Sequence, residues 1–543
     1  MSVDTVIKKK NKELLNLLHD DLGTPLNEWA VAAWLETSGI RDVDAQEDYD
    51  KASVFDLASE LYGQFSTNPA LVSGQNQQTK NERIGSGRTA LKKSFDILVM
   101  LVRKYVKGLE YSFPLFFQLI SLVIFGYALW VWLLFNEAQA TMISLATVGS
   151  FILTGGFSQV ISREISRYRN QDNPVLLAKI TLSVLKTGIL VLLASVLAVT
   201  LLNLLIPFYP MTFIIIGGIY VLLIGLLSLL SAALFAMDWH IMVLLGYVIG
   251  TAVVVVFMRY TNLGIYYGNW LGLTAANGFM WLYLQRTLIS NMREVPRWMR
   301  TLAAPGKEVL LWQNYQYLIY GSAYFLFLFI DRILAWSASP HLSGYAIWFR
   351  TPYELGMDWA LLSLVLTMGI LEYSVHSFSV KIRPLQKKYS ATDVNGFSKE
   401  VYNKYWRHLG LVVFVGLLAT FFVYGAGMLI LWQWGDYQII NDFFSNSTTV
   451  RVFWIASISY LFFSIALLHI LHFFVLNRPD KALIPLASSL LINFGVGFLT
   501  SRWISYDFAD IGLLAGTVFL AIYTGLLFRH YIRHIDFYYY SAY

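Results

Sequence analysis

The sequence predicts an all-α polytopic membrane protein with twelve transmembrane helices in two six-helix bundles, preceded by a small helical cytosolic segment. Of its 543 residues, 57% are hydrophobic and 14% are charged, whereas soluble domains carry about 25% charged residues. Residues 1–110 hold 14 basic and 16 acidic residues, so only 26 of the 40 basic residues and 18 of the 34 acidic residues lie in the rest of the chain. This composition excludes a secreted enzyme, a disordered regulator and a disulfide scaffold.

The polar beginning of the chain divides into three predicted segments. Residues 1–65 contain two apolar clusters, at 14–18 and 29–35, and predict a cytosolic helical domain. Residues 66–89 are rich in Asn, Gln, Ser and Gly, which predicts a flexible linker. Residues 90–110 place apolar and basic side chains at helical spacing, which predicts an amphipathic helix at the membrane surface. No apolar stretch typical of a cleavable signal peptide precedes them.

Beyond residue 110 the chain is a series of long apolar runs separated by short polar breaks. As a helix, each run can cross the roughly 30 Å hydrocarbon layer of a bilayer. The predicted spans are 113–135, 139–160, 184–206, 211–236, 241–258, 264–284, 311–336, 352–379, 408–432, 452–475, 483–501 and 511–529.

The basic residues predict the orientation of these spans. If the N-terminus is cytoplasmic, 20 of the 26 basic residues after position 110 fall on the cytoplasmic side, as expected for retained positive charges. Both termini are therefore predicted to be cytoplasmic. The basic connection 286–310 divides the body into bundles 111–285 and 311–543, which would be parallel repeats about the membrane normal.

No residues predict catalysis or a cofactor. The chain has no cysteine, which excludes thiol chemistry and Cys-ligated metals. It has no Walker A motif for ATP. We interpret His469 and His472 as packing residues, because no carboxylate or further ligand lies at metal-ligand spacing. We therefore expect no enzyme activity, no cofactor, no metal and no nucleic-acid partner.

Polar residues at the cytoplasmic ends of spans two and three are candidates for a substrate path, since polar groups inside a membrane usually face a cavity or a partner. Helix packing explains small and hydroxylated residues at this spacing equally well. In span three, Lys179 can reach the headgroups, whereas Lys186 lies about 10 Å deeper. The path candidates are Ser158, Gln159, Arg163, Arg167, Lys179 and Lys186.

A second polar group lies near the outer ends of spans seven and eight. Asp331 and Arg332 adjoin each other in span seven, while Arg350, Glu354 and Asp358 recur every four residues in span eight, which places them on one helix face. They predict an ion-pair network that caps two helices, a gate on a substrate path, or both.

Nearer the cytoplasm, span eight carries Glu372 and His376 one turn apart. A carboxylate and an imidazole on one helix face can take part in proton coupling. Solvation of the two side chains at the interface is the simpler interpretation.

Three short segments resemble one family of membrane proteins. Residues 155–163, Gly-Gly-Phe-Ser-Gln-Val-Ile-Ser-Arg, are similar to the Gly-Phe-Ser-x-x-x-Ser/Thr-Arg segment of the Pel-type exopolysaccharide exporters, members of the MATE-like polysaccharide flippase superfamily. Residues 329–336, Phe-Ile-Asp-Arg-Ile-Leu-Ala-Trp, resemble the Ile-Asp-Lys-Ile-x-x-Trp segment of its seventh span, with Arg332 in place of Lys. Residues 532–537 resemble the end of that family, whereas residues 1–110 lie outside the resemblance.

The resemblance implies export of a polysaccharide, or flipping of a lipid-linked oligosaccharide, across the cytoplasmic (inner) membrane beside a cytosolic glycosyltransferase. The leading hypothesis is therefore a transporter that moves a glycan across the bilayer by alternating access between its two bundles. Two alternatives remain at this point: an ion-coupled small-molecule (drug) antiporter of the same fold, and a non-transporting membrane scaffold for a polysaccharide synthase.

Overall fold

The fold is taken from a computed structural model of the chain. It describes residues 27–38, 40–67, 105–125, 135–261, 264–293, 303–338, 344–388, 394–436 and 438–533, with a few residues near 11–18, 99–103, 129 and 295–300. Apart from residues 66 and 67, the predicted linker 66–89 lies outside these residues, as does most of the predicted surface helix 90–110.

The polar beginning contains three described helices: α1 (Glu28–Thr37), α2 (Asp42–Tyr49) and α3 (Val54–Thr67). The Asn27 side chain accepts a hydrogen bond from the Ala30 N–H at 3.0 Å and so caps α1. Asp42 accepts from the Val54 N–H at 2.8 Å, which ties α2 to the start of α3. Fully buried Leu35 and Leu57 belong to the apolar cluster that these helices enclose.

Six helices form the first half of the membrane body. Short caps fix several of their starts: Asn136 and Gln139 form a reciprocal capping box, and Asn173 caps a helix that begins with proline. The helices are α4 (Phe113–Phe125), α5 (Glu137–Asn170), α6 (Pro174–Leu205), α7 (Met211–Ala236), α8 (His240–Tyr260) and α9 (Ile265–Arg293).

Six long helices and one short one form the second half. The short helix, α13, precedes α14, whose first turn is capped by Asn446. The helices are α10 (Lys307–Trp336), α11 (Thr351–Lys388), α12 (Val394–Trp434), α13 (Gln438–Phe444), α14 (Ser447–Val475), α15 (Asp480–Trp503) and α16 (Asp510–Arg533), with a 3₁₀ turn at Tyr506–Phe508.

These helices confirm the predicted all-α membrane class. None of the described residues lies in a β-strand. Within the same residues, 10 helices are long and apolar enough to cross a bilayer. The described part of α4 has only 13 residues, and the 29-residue α9 is also not among these ten. With these two, the count agrees with the twelve predicted spans.

The chain divides into two compact units. The smaller comprises residues 1–104, 376–407 and 531–543, and the larger comprises 105–375 and 408–530. In the larger unit, α5 packs on α6 and α7 within the first half and on α10 of the second half, while α10 also packs on α15. We call the end where α5 finishes and α10 begins the basic end, and the other the opposite end.

Candidate functional site

Helices α5 and α10 run antiparallel in direct contact, and three glycines allow this approach. A methyl group on Gly155 would lie 2.6 Å from the Gly321 carbonyl oxygen, and one on Gly321 would lie 2.6 Å from the Gly155 carbonyl carbon. Gly156 meets the backbone of Leu318 in the same way. The two halves therefore meet backbone to backbone along a seam that crosses the middle of these helices.

Two hydroxyl side chains of α5, those of Ser150 and Thr154, contact α7 rather than α10. Ser150 donates to the Val221 carbonyl at 3.1 Å, and the Thr154 hydroxyl lies 3.2 Å from that of Ser228, so both groups contact α7 within the first half. Farther along, the Ser158 hydroxyl has no hydrogen-bond partner among the described residues. The Gln159 side chain lies against Gly321. Of the predicted path residues on α5, Gln159 is thus the first that contacts α10.

At the basic end, a polar network joins the two halves. Arg163 donates to the Gln313 carbonyl and to Asn314 Oδ1, both at 2.7 Å. Asn314 in turn donates to Glu164 Oε1 at 2.9 Å, and both of these side chains are buried. Arg167 donates to the Gln313 side chain at 3.2 Å. Two of the predicted path arginines therefore bind α10 in this state.

We expect Asn314→Leu to lower the free energy of unfolding by about 1–2 kcal/mol, because Glu164 would remain buried without its donor and Arg163 would lose an acceptor. Thermal and denaturant unfolding of the purified protein in one detergent measures this change. Gln316→Leu is the control, since Gln316 bonds only to its neighbour Tyr315 among the described residues. Equal midpoints for the two variants would contradict the role of the network.

The two lysines of α6 lie on its exposed side. Lys179 donates to the Arg300 carbonyl at 3.1 Å. Lys186 is exposed and shares a stripe with exposed Leu190 and Leu193. A cavity of about 60 Å³ between α5, α6 and α10 is lined by Ser183 and Thr187 but not by Lys186. Lys186 therefore flanks this cavity without entering it.

At the opposite end, a buried ion-pair network links α10 and α11. Arg332 donates to Glu354 at 2.5 Å and to Asp358 at 2.9 Å. The Trp336 indole donates to the other Glu354 oxygen at 2.8 Å. Glu354 is 1% exposed and Arg332 is 7% exposed. Each charge is therefore stabilised by the other residue rather than by water.

The remaining two predicted members of this group, Asp331 and Arg350, form hydrogen bonds with other residues. Asp331 accepts a hydrogen bond from the Tyr353 hydroxyl at 2.7 Å. Arg350 donates to the Ala338 carbonyl at 3.0 Å and lies over the Tyr506 ring. The structure thus brings Arg332, Glu354 and Asp358 together but gives Asp331 and Arg350 separate partners.

Two buried acidic residues near this network were not singled out from the sequence. Asp510, at the start of α16, is fully buried, and neither carboxylate oxygen has a hydrogen-bond partner among the described residues. Asp507 forms an ion pair with Arg451. Both precede the last apolar run, and a polar start of a span was the only sequence signal that marked them.

Glu372 and His376 remain a prediction. Glu372 is half-buried and His376 is exposed. Neither forms a hydrogen bond or an ion pair with another residue in the described part of the chain. The structure therefore adds no contact in support of a coupling role.

In the described part of the chain, two halves of long apolar helices with polar networks at both ends of α10 have the architecture of a multi-pass membrane protein. The family model of the PelG exopolysaccharide exporters (EPS-E) matches residues 109–540. The chain belongs to this family, as the sequence resemblance predicts, and it transports a polysaccharide or a lipid-linked substrate across a membrane. No curated protein sequence is similar enough to count as a match.

Solved structures with the same fold are MATE and MOP-superfamily transporters. A MATE protein in complex with MaD3S is 14% identical, with a TM-score of 0.57 over 80% of this chain and 96% of the other. An outward-facing multidrug resistance MATE transporter is 14% identical, with a TM-score of 0.55 over 80% of this chain and 96% of the other. A MOP-superfamily transporter from Pyrococcus furiosus is 11% identical, with a TM-score of 0.54 over 80% of this chain and 96% of the other. At these identities the likeness establishes the fold alone.

Proposed function

We propose that this chain exports a glycan across the cytoplasmic membrane by alternating access, taking it up at the basic end and releasing it at the opposite end. The basic end is then cytoplasmic, as are both termini, and a cytosolic glycosyltransferase supplies the glycan there. Arg163, Arg167 and Lys179 give the entrance its positive charge, whereas Lys186 lies on the exposed side of α6.

The observation that carries this proposal is the seam between α5 and α10. It is close-packed at Gly155 and Gly321 and has a buried polar network toward the basic end. Hydrogen bonds between side chains can break and reform as the halves separate, whereas interdigitated aliphatic side chains would resist separation. The seam therefore has the properties of a contact that opens during transport.

The roles of the charged residues follow from their partners. When the basic end opens, Arg163 leaves Asn314 and its guanidinium becomes available to hydroxyl or anionic groups of the glycan. The Arg332 network stays within the second half and holds α10 and α11 together, so that this half moves as one body. We place Glu354 and Asp358 in this supporting role rather than on the glycan.

A strain that lacks the gene should secrete little polysaccharide, and the wild-type chain should restore secretion. Arg163→Gln should reduce secretion at least tenfold with the protein still inserted in the membrane. The entrance would lose the positive charge of Arg163 and the hydrogen bonds from this residue to Gln313 and Asn314. Arg169→Gln is the matched control: Arg169 forms an exposed ion pair with Asp238 at 2.8 Å and, among the described residues, has no hydrogen bond or ion pair with α10. Secreted glycan and membrane-bound protein are measured together.

Three outcomes would contradict the proposal. Unchanged polysaccharide in the deletion strain, without accumulation of lipid-linked precursors inside the cell, would exclude glycan export. Ion-driven drug efflux in vesicles of the purified protein would favour the antiporter. A scaffold for the synthase would be favoured by two results together: Arg163→Gln secretes normally, and a chain without residues 1–110 does not secrete.

A further inference from the structure

Four aromatic rings form a continuous stack across the two halves at the opposite end. The ring planes of Phe213 and Tyr209 are 4° apart, those of Tyr209 and Tyr345 are 12° apart, and those of Tyr345 and Trp348 are 8° apart. Successive ring centroids are separated by 4.4, 5.2 and 5.5 Å. The first two residues belong to the first half and the last two to the connection between α10 and α11. We call these four residues the aromatic clasp.

Hydrogen bonds reinforce the clasp from both halves. The Tyr209 hydroxyl donates to the Ile347 carbonyl at 2.5 Å, and the Trp348 indole donates to Glu137 at 2.9 Å. Burial raises the pKa of Tyr209, so its hydroxyl keeps the proton that it donates. The Phe349 N–H also donates to the Thr141 hydroxyl at 3.0 Å. In this state the clasp closes the opposite end of the contact between the halves.

The composition of the clasp differs from that of a permanent seal. All four side chains are only partly buried, and three of them have a polar tip. A cavity of about 230 Å³, lined by Tyr209 and Phe213 among others, adjoins the stack and gives these rings room to separate. Each ring offers a flat apolar face beside a hydrogen-bonding group. These are the features that suit a pyranose ring, which has apolar C–H faces and a rim of hydroxyls.

We propose that the aromatic clasp is the exit site for the exported glycan. Its ring faces stack on one another in the state described here, and they stack on sugar rings of the glycan when the two halves separate at this end. The ligand class is thus a pyranose of the transported glycan, and Glu137 accepts hydrogen bonds from its hydroxyls once Trp348 has moved away. This inference rests on the proposed function.

Cross-linking tests whether the clasp must open. The chain contains no cysteine, so Thr141→Cys combined with Phe349→Cys introduces a unique thiol pair beside the clasp, where the Phe349 N–H lies 3.0 Å from the Thr141 hydroxyl, and leaves all four clasp rings in place. A short thiol cross-linker should join the two halves and lower export at least tenfold, and cleavage of the linker should restore export. Trp29→Cys combined with Phe55→Cys is the control, because these two side chains are also in contact, with ring centroids 4.5 Å apart, and lie within the N-terminal helices. Normal export by the cross-linked clasp would overturn the proposal.

A binding measurement separates a sugar site from a simple gate. The probe is the oligosaccharide fraction cut from the polysaccharide that wild-type cells secrete, titrated onto the full chain in nanodiscs. Tyr345→Leu combined with Trp348→Leu should weaken binding at least tenfold. Tyr345→Phe combined with Trp348→Phe keeps both ring faces and should stay within about threefold of wild type.

The binding results decide whether the clasp is a sugar site. Wild-type affinity in the double-leucine variant would overturn the sugar site, even if cross-linking blocks export. Equal losses in the leucine and phenylalanine variants would also overturn it, because ring faces would then not be the determinant. Failure of the proposed function is distinguishable from both, because it is measured by secretion from the deletion strain and from Arg163→Gln and not by binding of the oligosaccharide.

Discussion

Arg332→Ala should lower the free energy of unfolding by about 3–5 kcal/mol, the range found when one partner of a buried ion pair is removed. Arg332 bonds to two carboxylates, Glu354 at 2.5 Å and Asp358 at 2.9 Å. Without the guanidinium, Glu354 keeps only the Trp336 indole as a donor, while it remains almost fully buried. A buried carboxylate without a compensating cation is among the most unfavourable changes a protein core can undergo.

Denaturant unfolding of the purified protein, followed by tryptophan fluorescence, measures this effect. Arg332→Lys should cost less, since an ammonium keeps the charge but does not reproduce the planar donor geometry of the guanidinium. Arg169→Ala removes an exposed arginine of the first half and should change stability by less than about 1 kcal/mol. A loss in Arg332→Ala no larger than that control would mean that the network contributes nothing.

A double variant identifies the cause. If the cost comes from the unpaired carboxylate, then Arg332→Met combined with Glu354→Gln should be more stable than Arg332→Met alone, because no buried charge then lacks its partner. Simple addition of the two single effects would instead indicate that Arg332 acts mainly through the packing of its aliphatic stem. Equilibrium unfolding of all four chains in one detergent completes the cycle.

Spacing along the sequence predicts which residues share a helix face, and its success depends on where the helix begins. Glu354 and Asp358 lie one turn apart in α11 and meet the same guanidinium. Arg350 has the same spacing, but α11 begins only at Thr351, so the helical rule does not extend to it. Asp331 and Arg332 illustrate the converse: consecutive residues point about 100° apart on a helix, and they therefore bind different partners.

Pairing between distant segments is the part that a single sequence cannot supply. The two consecutive glycines of α5 indicate a close approach, yet nothing local identifies Gly321 as the partner. Glu164 and Asn314 are 150 positions apart, and each looks like an ordinary polar residue at a helix end. The clasp is similar, because its rings come from the start of α7 and from two connections, whose sequences predict only interfacial aromatic residues. The class of fold and the family follow from periodicity, charge distribution and short motifs, whereas the seam depends on tertiary packing.

Gly321→Ala should destabilise the protein by about 2–3 kcal/mol and reduce export in the same variant. The added methyl group would lie 2.6 Å from the Gly155 carbonyl carbon. Because the obstructing atoms belong to the backbone, no side-chain rotation can relieve the clash, and α5 and α10 must separate. That separation would also lengthen the bonds from Arg163 to α10, now 2.7 Å, and would loosen the stack of Phe151 on Phe325.

Gly149→Ala is the matched control and should change stability in the opposite direction. Gly149 lies in the same α5 helix, and a methyl group there would meet no atom within 4 Å. Alanine is favoured over glycine inside a helix by about 1 kcal/mol, so Gly149→Ala should be neutral or slightly stabilising and should export normally. The two variants make the same chemical change, and only the contact across the seam distinguishes them. Stabilisation by both would therefore mean that the halves do not meet through these glycines, and the seam would lose its place in the transport cycle.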